Sequence, residues 1–249
     1  LFRGEKTMHS ENVLGYIPGK SKPDEFIFIT AHYDHLGMRD GKIYYGADDD
    51  ASGTTTMLTL AKAFSAAYKA GHGPERSIVF LANAGEEKGL KGSDYYVNHP
   101  VFPLSQVVAD LNIDMVGRID EKHAMDTNYV YVIGSAMLST GLKEVSESAN
   151  ANHTGLSLDY AFDDPKDPNR FYYRSDHYNF AKNNVPVIFY FNGVHEDYHK
   201  PTDTPDKIRY ALMAKRAQLV FYTAWELANR KDRIMVDQDT QKGDRKTDN

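Results

Sequence analysis

Five short stretches of the chain carry side chains able to bind a metal. They are HYDH (His32, Asp34, His35), GADDDASG (Asp48, Asp49, Asp50), AGEEKG (Glu86, Glu87), LNID (Asp114) and VHEDYHKPTDT (His195, His199). Three adjacent aspartates on one turn repel one another unless solvent or a cation separates their charges. Each stretch alone has an ordinary explanation, because aspartate favours turns and helix caps. An aspartate that ends an apolar strand is harder to dismiss, since a buried carboxylate is costly without a partner. Imidazole together with carboxylate suits zinc better than the all-oxygen shells of calcium or magnesium. Two histidines with three or more carboxylates exceed the needs of one tetrahedral zinc. They fit two ions roughly 3.5–4 Å apart that share a bridging carboxylate.

Such residues need a scaffold that gathers them. Short apolar, β-branched runs at 26–31, 77–84, 107–114, 129–134 and 185–192 read as strands buried on both faces. Helical patterns separate them, one from 51 to Gly71 and others near 90–98, 137–151, 176–184 and 207–230, the last carrying the only tryptophan, Trp225. Alternating strands and helices predict a three-layer α/β/α fold around a mostly parallel sheet. In such sheets ligands bind beyond the carboxyl ends of the strands. Four of the five predicted strands end in, or lead quickly to, one of the metal-binding stretches. By the two-residue period of a strand, Asp34 shares a side with His32 and His35 points away. Glu86 and Glu87, being adjacent, aim in different directions, so one can hold metal while the other faces a water.

The 249 residues are 41% hydrophobic and 26% charged, with a net charge of -6, which suits one large α/β domain, read here over 1–230, or at most two small ones. That charge and a pI near 5.9 give no support to nucleic-acid binding. No apolar run is long enough to span a membrane. The absence of cysteine excludes thiolate metal sites and disulfides. Residues 231–249 are polar and patternless and read as a flexible tail. A chain starting at Leu1 without a visible signal peptide reads as a processed or trimmed product.

AHYD, GADDDASG, AGEEKGLKGS, LNIDMVG and DYHKPTDT, in that order, resemble the motifs of the co-catalytic di-zinc aminopeptidases of the bacterial leucyl aminopeptidase type. The resemblance runs from about residue 12 to about 228. It implies that Asp49 bridges two zinc ions, with His32 and Asp114 completing one site and Glu87 and His199 the other. It also implies a cis peptide at Asp49–Asp50, a turn shaped by Asp48 and Asp50, and a catalytic Glu86 that takes a proton from the attacking water. Asp34 is expected to hold the His32 imidazole from behind. The substrates implied are peptides with a free N-terminus, and the location implied is periplasmic or secreted.

Expectations for the substrate pocket rest on FYYRSDHYNF. Tyr172 aligns where a hydroxyl can support the tetrahedral intermediate, beside Tyr173. Ser175, Asp176 and His177 match a family S-D-H signature and read as a helix cap with its supporting groups. Met115, Phe171 and Phe189 are candidates for an apolar wall, and Arg174 for contact with a substrate carboxylate. His195 is set aside in favour of His199. Three rival readings stay open: a carboxypeptidase for acidic C-termini, which would need more basic groups than Arg118 and Arg174; a glutaminyl cyclase; and a binding module on the same fold that has lost catalysis.

Overall fold

The computed structural model describes residues 9–238. In chain order its strands are β1 (Val13–Ile17), β2 (Lys22–His32), β3 (Gly37–Arg39), β4 (Lys42–Tyr44), β5 (Arg76–Asn83), β6 (Val107–Ile113), β7 (Tyr129–Ile133), β8 (Ser157–Asp159) and β9 (Val187–Phe191). The helices are α1 (Ala51–Lys69), α2 (Lys91–Asn98), α3 (Thr140–Ala149), α4 (His177–Ala181) and α5 (Tyr210–Asn229). Seven strands form one sheet in the order β1-β5-β2-β6-β9-β7-β8, and β3 pairs with β4 as a separate hairpin.

The two-residue period of β2 divides the core. Ile27, Ile29 and Ala31 pack into one cluster with Phe64 of α1, Leu142 of α3 and Leu219 of α5. Phe26 and Phe28 pack into a second cluster with Tyr96 of α2 and Phe180 of α4. Helices therefore cover both faces of the sheet, as the alternating pattern predicts. Burying a large side chain such as Phe64, which stacks against Phe221 and Trp225, contributes roughly 1.5–3 kcal/mol.

The central strands β5, β2, β6 and β9 are mutually parallel. Their carboxyl ends therefore share one edge, and these are the four ends that carry the metal-binding stretches. The flanks depart from the expected order: β1, in a segment where no strand is expected from sequence, runs antiparallel to β5, and β7 runs antiparallel to β9. Neither flanking strand supplies a site residue. Arg216 of α5, buried in the core, donates to the carbonyls of Val116, Arg118 and Tyr129 at 2.8, 2.7 and 2.9 Å. It fixes the chain that leaves β6 just after Asp114.

Part of the polar stretch read as a flexible tail is anchored instead. Ile234 is buried, and the Arg233 guanidinium donates to the carbonyls of Ser105 and Val107. The Asp237 carboxylate accepts the Thr140 amide at 2.9 Å. Three apolar residues in a row, Ile234, Met235 and Val236, of which only Ile234 is buried, leave no periodicity for sequence reading to detect. The remainder, 239–249, lies outside the described residues. Among the described residues no helix is long and apolar enough to cross a membrane.

Candidate metal centre

Four chain segments meet at the shared strand edge. His32 is the last residue of β2, and Asp114 follows β6 directly. Glu86 and Glu87 form a short helical turn after β5, entered through Gly85 in the left-handed region. His199 comes from the loop beyond β9. Asp49 sits on the turn before α1, and the Asp49–Asp50 peptide is cis, as expected.

Asp49 turns one carboxylate oxygen to each side. Oδ1 lies 3.3 Å from His32 Nε2, which is also 3.7 Å from Asp114 Oδ2. Oδ2 lies 3.0 Å from His199 Nε2, which is 3.3 Å from Glu87 Oε2. Two donors at zinc-bond lengths of about 2.0–2.2 Å and tetrahedral angles stand roughly 3.3–3.5 Å apart; two of these spacings are 3.3 Å and the others, 3.0 and 3.7 Å, lie close on either side. Moreover, His32 Nε2 is buried without a hydrogen-bond partner among the described residues despite its close carboxylates. Donor atoms that approach one another without aligning are pointing at a common third position. The donor set of imidazoles and carboxylates fits zinc.

The flanking aspartates build the turn, as expected. Asp50 caps α1 through Gly53, and its carboxylate also accepts the amides of His32 and Met115. A side chain at Gly53 would fall onto the Ile113 carbonyl, so the small residue lets α1 approach β6. Asp48 accepts the Gly117 amide at 2.7 Å and faces His195 Nε2 at 3.1 Å. His195 is thus occupied away from the metal donors, consistent with setting it aside. Buried Asp203, in the same loop as His199, accepts the amides of Asp48 and Asp49 and ties the two ligand-bearing segments together. Ser175 donates to Asp114 Oδ2 at 2.6 Å and accepts from Asn112, so the S-D-H signature supports a ligand.

Taken without a cation, the cluster holds protons where a catalyst needs metal. Asp49 and Glu87 raise His199 to about 9. Burial opposes charge on His32, yet Asp114, Asp34 and Asp49 together raise it well above its ordinary value. Burial pushes Glu86 up to about 9, with Asp114, Asp176 and Asp49 adding to it against His32. A divalent cation reverses this balance and displaces the protons.

A model of peptidase family M28 matches residues 12–224. The chain belongs to peptidase family M28. A probable leucine aminopeptidase from Arthroderma otae is 32% identical over 236 residues, covering 91% of this chain and 61% of the relative. The chain thus spans about three fifths of that relative's length. Among solved structures, LapB from Legionella pneumophila superposes with a TM-score of 0.73 at 25% identity, over 88% of this chain and 56% of LapB. BSAP, a zinc aminopeptidase from Bacillus subtilis, gives 0.68 at 23%, over 90% and 52%. The α/β/α arrangement of this chain is that of its M28 neighbours.

Beside these candidate metal donors lies a cleft. Glu86, Asp49 and Asp114 line it on one side, and Met115, Phe171, Phe189 and Phe191 form an apolar wall. Met115, two residues beyond the end of β6, adopts a left-handed backbone (φ 57°). Arg174 is at the cleft, stacked over Phe171 and 3.3 Å from the Tyr198 hydroxyl. Arg118 is not; it pairs with Asp197 at 3.0 Å.

Two expectations need correction, and that for Asp34 holds with a different atom in the lead. Tyr172 does not line the cleft; its ring packs against His177 and Tyr178. Residues 171–173 form a 3-10 turn, where positions three apart share a face, so Phe171 and Arg174 reach the cleft and Tyr172 turns inward. The tyrosine of the cleft is Tyr198, stacked on His199 at 3.9 Å between ring centroids. The His32 Nδ1 atom meets the Asp34 carbonyl oxygen at 3.0 Å, while the Asp34 carboxylate is 3.7 Å away and accepts the Glu86 amide. Asp34 therefore supports both His32 and the turn that carries Glu86. Finally, His35 does not point away from the site. Its Nδ1 is 2.8 Å from Glu87 Oε1, because β2 ends at His32 and strand alternation no longer governs the chain three residues later.

Proposed function

We propose that this M28 chain is a zinc-dependent aminopeptidase that removes apolar N-terminal residues from peptides with a free amino terminus, using two zinc ions. One observation carries the reading: Asp49 offers one oxygen to each of two donor sets while Glu86, used by neither, faces the same cleft. His32 and Asp114 would hold one ion with Asp49; Glu87 and His199 would hold the other. Bound there, the metal pair supplies Lewis acidity that polarises the scissile carbonyl and makes a water acidic enough to attack near neutral pH.

The protein's own groups do the rest. Glu86 takes the proton of the attacking water and returns it to the leaving amine. Its high proton affinity in this buried setting suits both halves of that task. We assign to Tyr198, rather than Tyr172, the hydroxyl that supports the oxygen of the tetrahedral species. Burial raises the Tyr198 hydroxyl well above its ordinary range, so it stays a donor. The aromatic wall supports a preference for apolar side chains, and the surrounding carboxylates favour a cationic α-amine. The names of the relatives, a probable leucine aminopeptidase and a zinc aminopeptidase, agree with this reading. A location outside the cytoplasm belongs to it too and rests on the family resemblance.

The test compares leucyl-p-nitroanilide with its N-acetylated form, as purified, after chelation and after zinc is restored. Hydrolysis of the free-amine substrate alone, lost with chelator and regained with zinc, is expected. A zinc-loaded protein that cleaves neither substrate would overturn the reading, and cyclisation of an N-terminal glutaminyl peptide would replace it.

A further inference from the structure

The His35 ring is packed against the turn that carries Asp49. Gly46, in the left-handed region (φ 60°), leaves room for it: a side chain there would fall onto the ring and onto the Asp49 carbonyl oxygen. Both ring nitrogens are buried without a hydrogen-bond partner among the described residues, and so is Glu87 Oε1. Yet His35 Nδ1 and Glu87 Oε1 are only 2.8 Å apart, and Asp49 Oδ2 is 3.9 Å from the same nitrogen. An imidazole nitrogen that close to a carboxylate normally donates a straight hydrogen bond to it. Here the close contact does not form one, as for His32 Nε2 beside Asp49 and Asp114.

We propose that His35, through Nδ1, is an additional protein ligand of the metal ion held by Asp49, Glu87 and His199. This inference rests on the two-metal reading above. Donors at right angles around an ion, with bonds of about 2.0–2.1 Å, stand roughly 2.9 Å apart, and catalytic zinc readily takes a fifth ligand. The short His35–Glu87 edge fits that arrangement, as does the 3.0 Å His199–Asp49 edge, whereas the 3.3 Å edges fit tetrahedral angles. His35, Asp49 and Glu87 can bring their donor atoms within 4.8 Å of one another, as can His32, Asp49 and Asp114. The two ions therefore differ: three protein ligands on the His32 side and four on the His199 side. The His199-side ion should be the more tightly held, because each added imidazole must be lost before that ion can leave.

The test uses the full chain, labelled with 15N-histidine and loaded with cadmium-113, and counts imidazole nitrogens that show cadmium coupling. Three coupled rings are expected, His35 among them through Nδ1. Two coupled rings on a protein holding two cadmium ions would overturn the proposal and leave the two-metal reading standing. A wild-type protein that cannot hold two ions would overturn the reading beneath it. In parallel, His35→Ala should weaken one of two zinc ions by tenfold or more in a chelator competition and leave the other unchanged. Unchanged affinity for both would contradict the proposal.

Discussion

Asp50 offers the sharpest test of how the site is built, because one carboxylate joins three of its segments. Oδ1 accepts the amides of Gly53 and Met115, each at 3.0 Å, and Oδ2 accepts that of His32 at 3.2 Å. Those segments begin α1, leave β6 and end β2, and they carry Asp49, Asp114 and His32. The side chain is almost fully buried, so water cannot take over. Leaving a buried amide unpaired costs roughly 1–3 kcal/mol, and Asp50→Ala orphans three, or about 3–9 kcal/mol. Asp50→Asn keeps one oxygen for Gly53 and Met115 but turns an NH2 group toward the His32 amide, which orphans one donor at roughly 1–3 kcal/mol. For a chain of this size about 2 kcal/mol corresponds to a fall of roughly 4–8 °C in Tm. Scanning calorimetry of chelated protein should give this order: wild type, Asp50→Asn, then Asp50→Ala lower by a further 4 °C or more. Exposed Asp24→Ala serves as the control and should stay within about 0.5 kcal/mol of wild type. An Asp50→Ala protein melting with the control would refute the claim that this carboxylate staples the site.

Two further outcomes follow from the same geometry. Ser175→Ala removes the hydroxyl that donates to Asp114, and loss of such a partner typically weakens metal binding about 10–100-fold. Competition against a chelator should show that loss for one zinc ion and not the other; equal affinities would show Ser175 to be idle. In the metal-free protein, stability should fall as pH rises from about 6.5 to about 9. His199, raised to about 9, contributes stability below its unfolded value near 6.5 that is lost as pH passes 9. Glu86, also raised to about 9, is protonated when folded and ionised when unfolded, so it destabilises the fold increasingly from pH 4.5 upward. Zinc affinity should rise over the same interval as these protons leave. A flat Tm of chelated protein between pH 6.5 and 9 would contradict the charge assignment.

Much of the site was legible because parallel strands align their carboxyl ends. Once β5, β2, β6 and β9 were read as strands, His32, Glu86, Glu87, Asp114 and the His199 loop had to face one edge. What stayed hidden lies where chain direction changes. His35 follows β2 by three residues, beyond the reach of the two-residue period that correctly paired His32 with Asp34. Tyr172 and Tyr198 could be told apart only through the 3-10 turn at 171–173, whose neighbours diverge by a third of a revolution. The antiparallel β7 is as apolar as the parallel central strands, so composition could not reveal its direction, and the short, largely exposed β1 left no buried apolar run to read. Asp203 lies within the DYHKPTDT stretch, but its hold on the amides of Asp48 and Asp49 spans more than 150 residues of chain.

The central claim is that one set of side chains holds two metal ions while Glu86 alone moves the proton. Measuring zinc content and turnover together in Glu86→Gln tests it most directly. The account predicts two zinc ions per chain, as in wild type, with kcat lower by about 10²–10⁴-fold. Loss of a zinc ion would make Glu86 a ligand, and retained turnover would take the proton transfer away from it; either result would contradict the account.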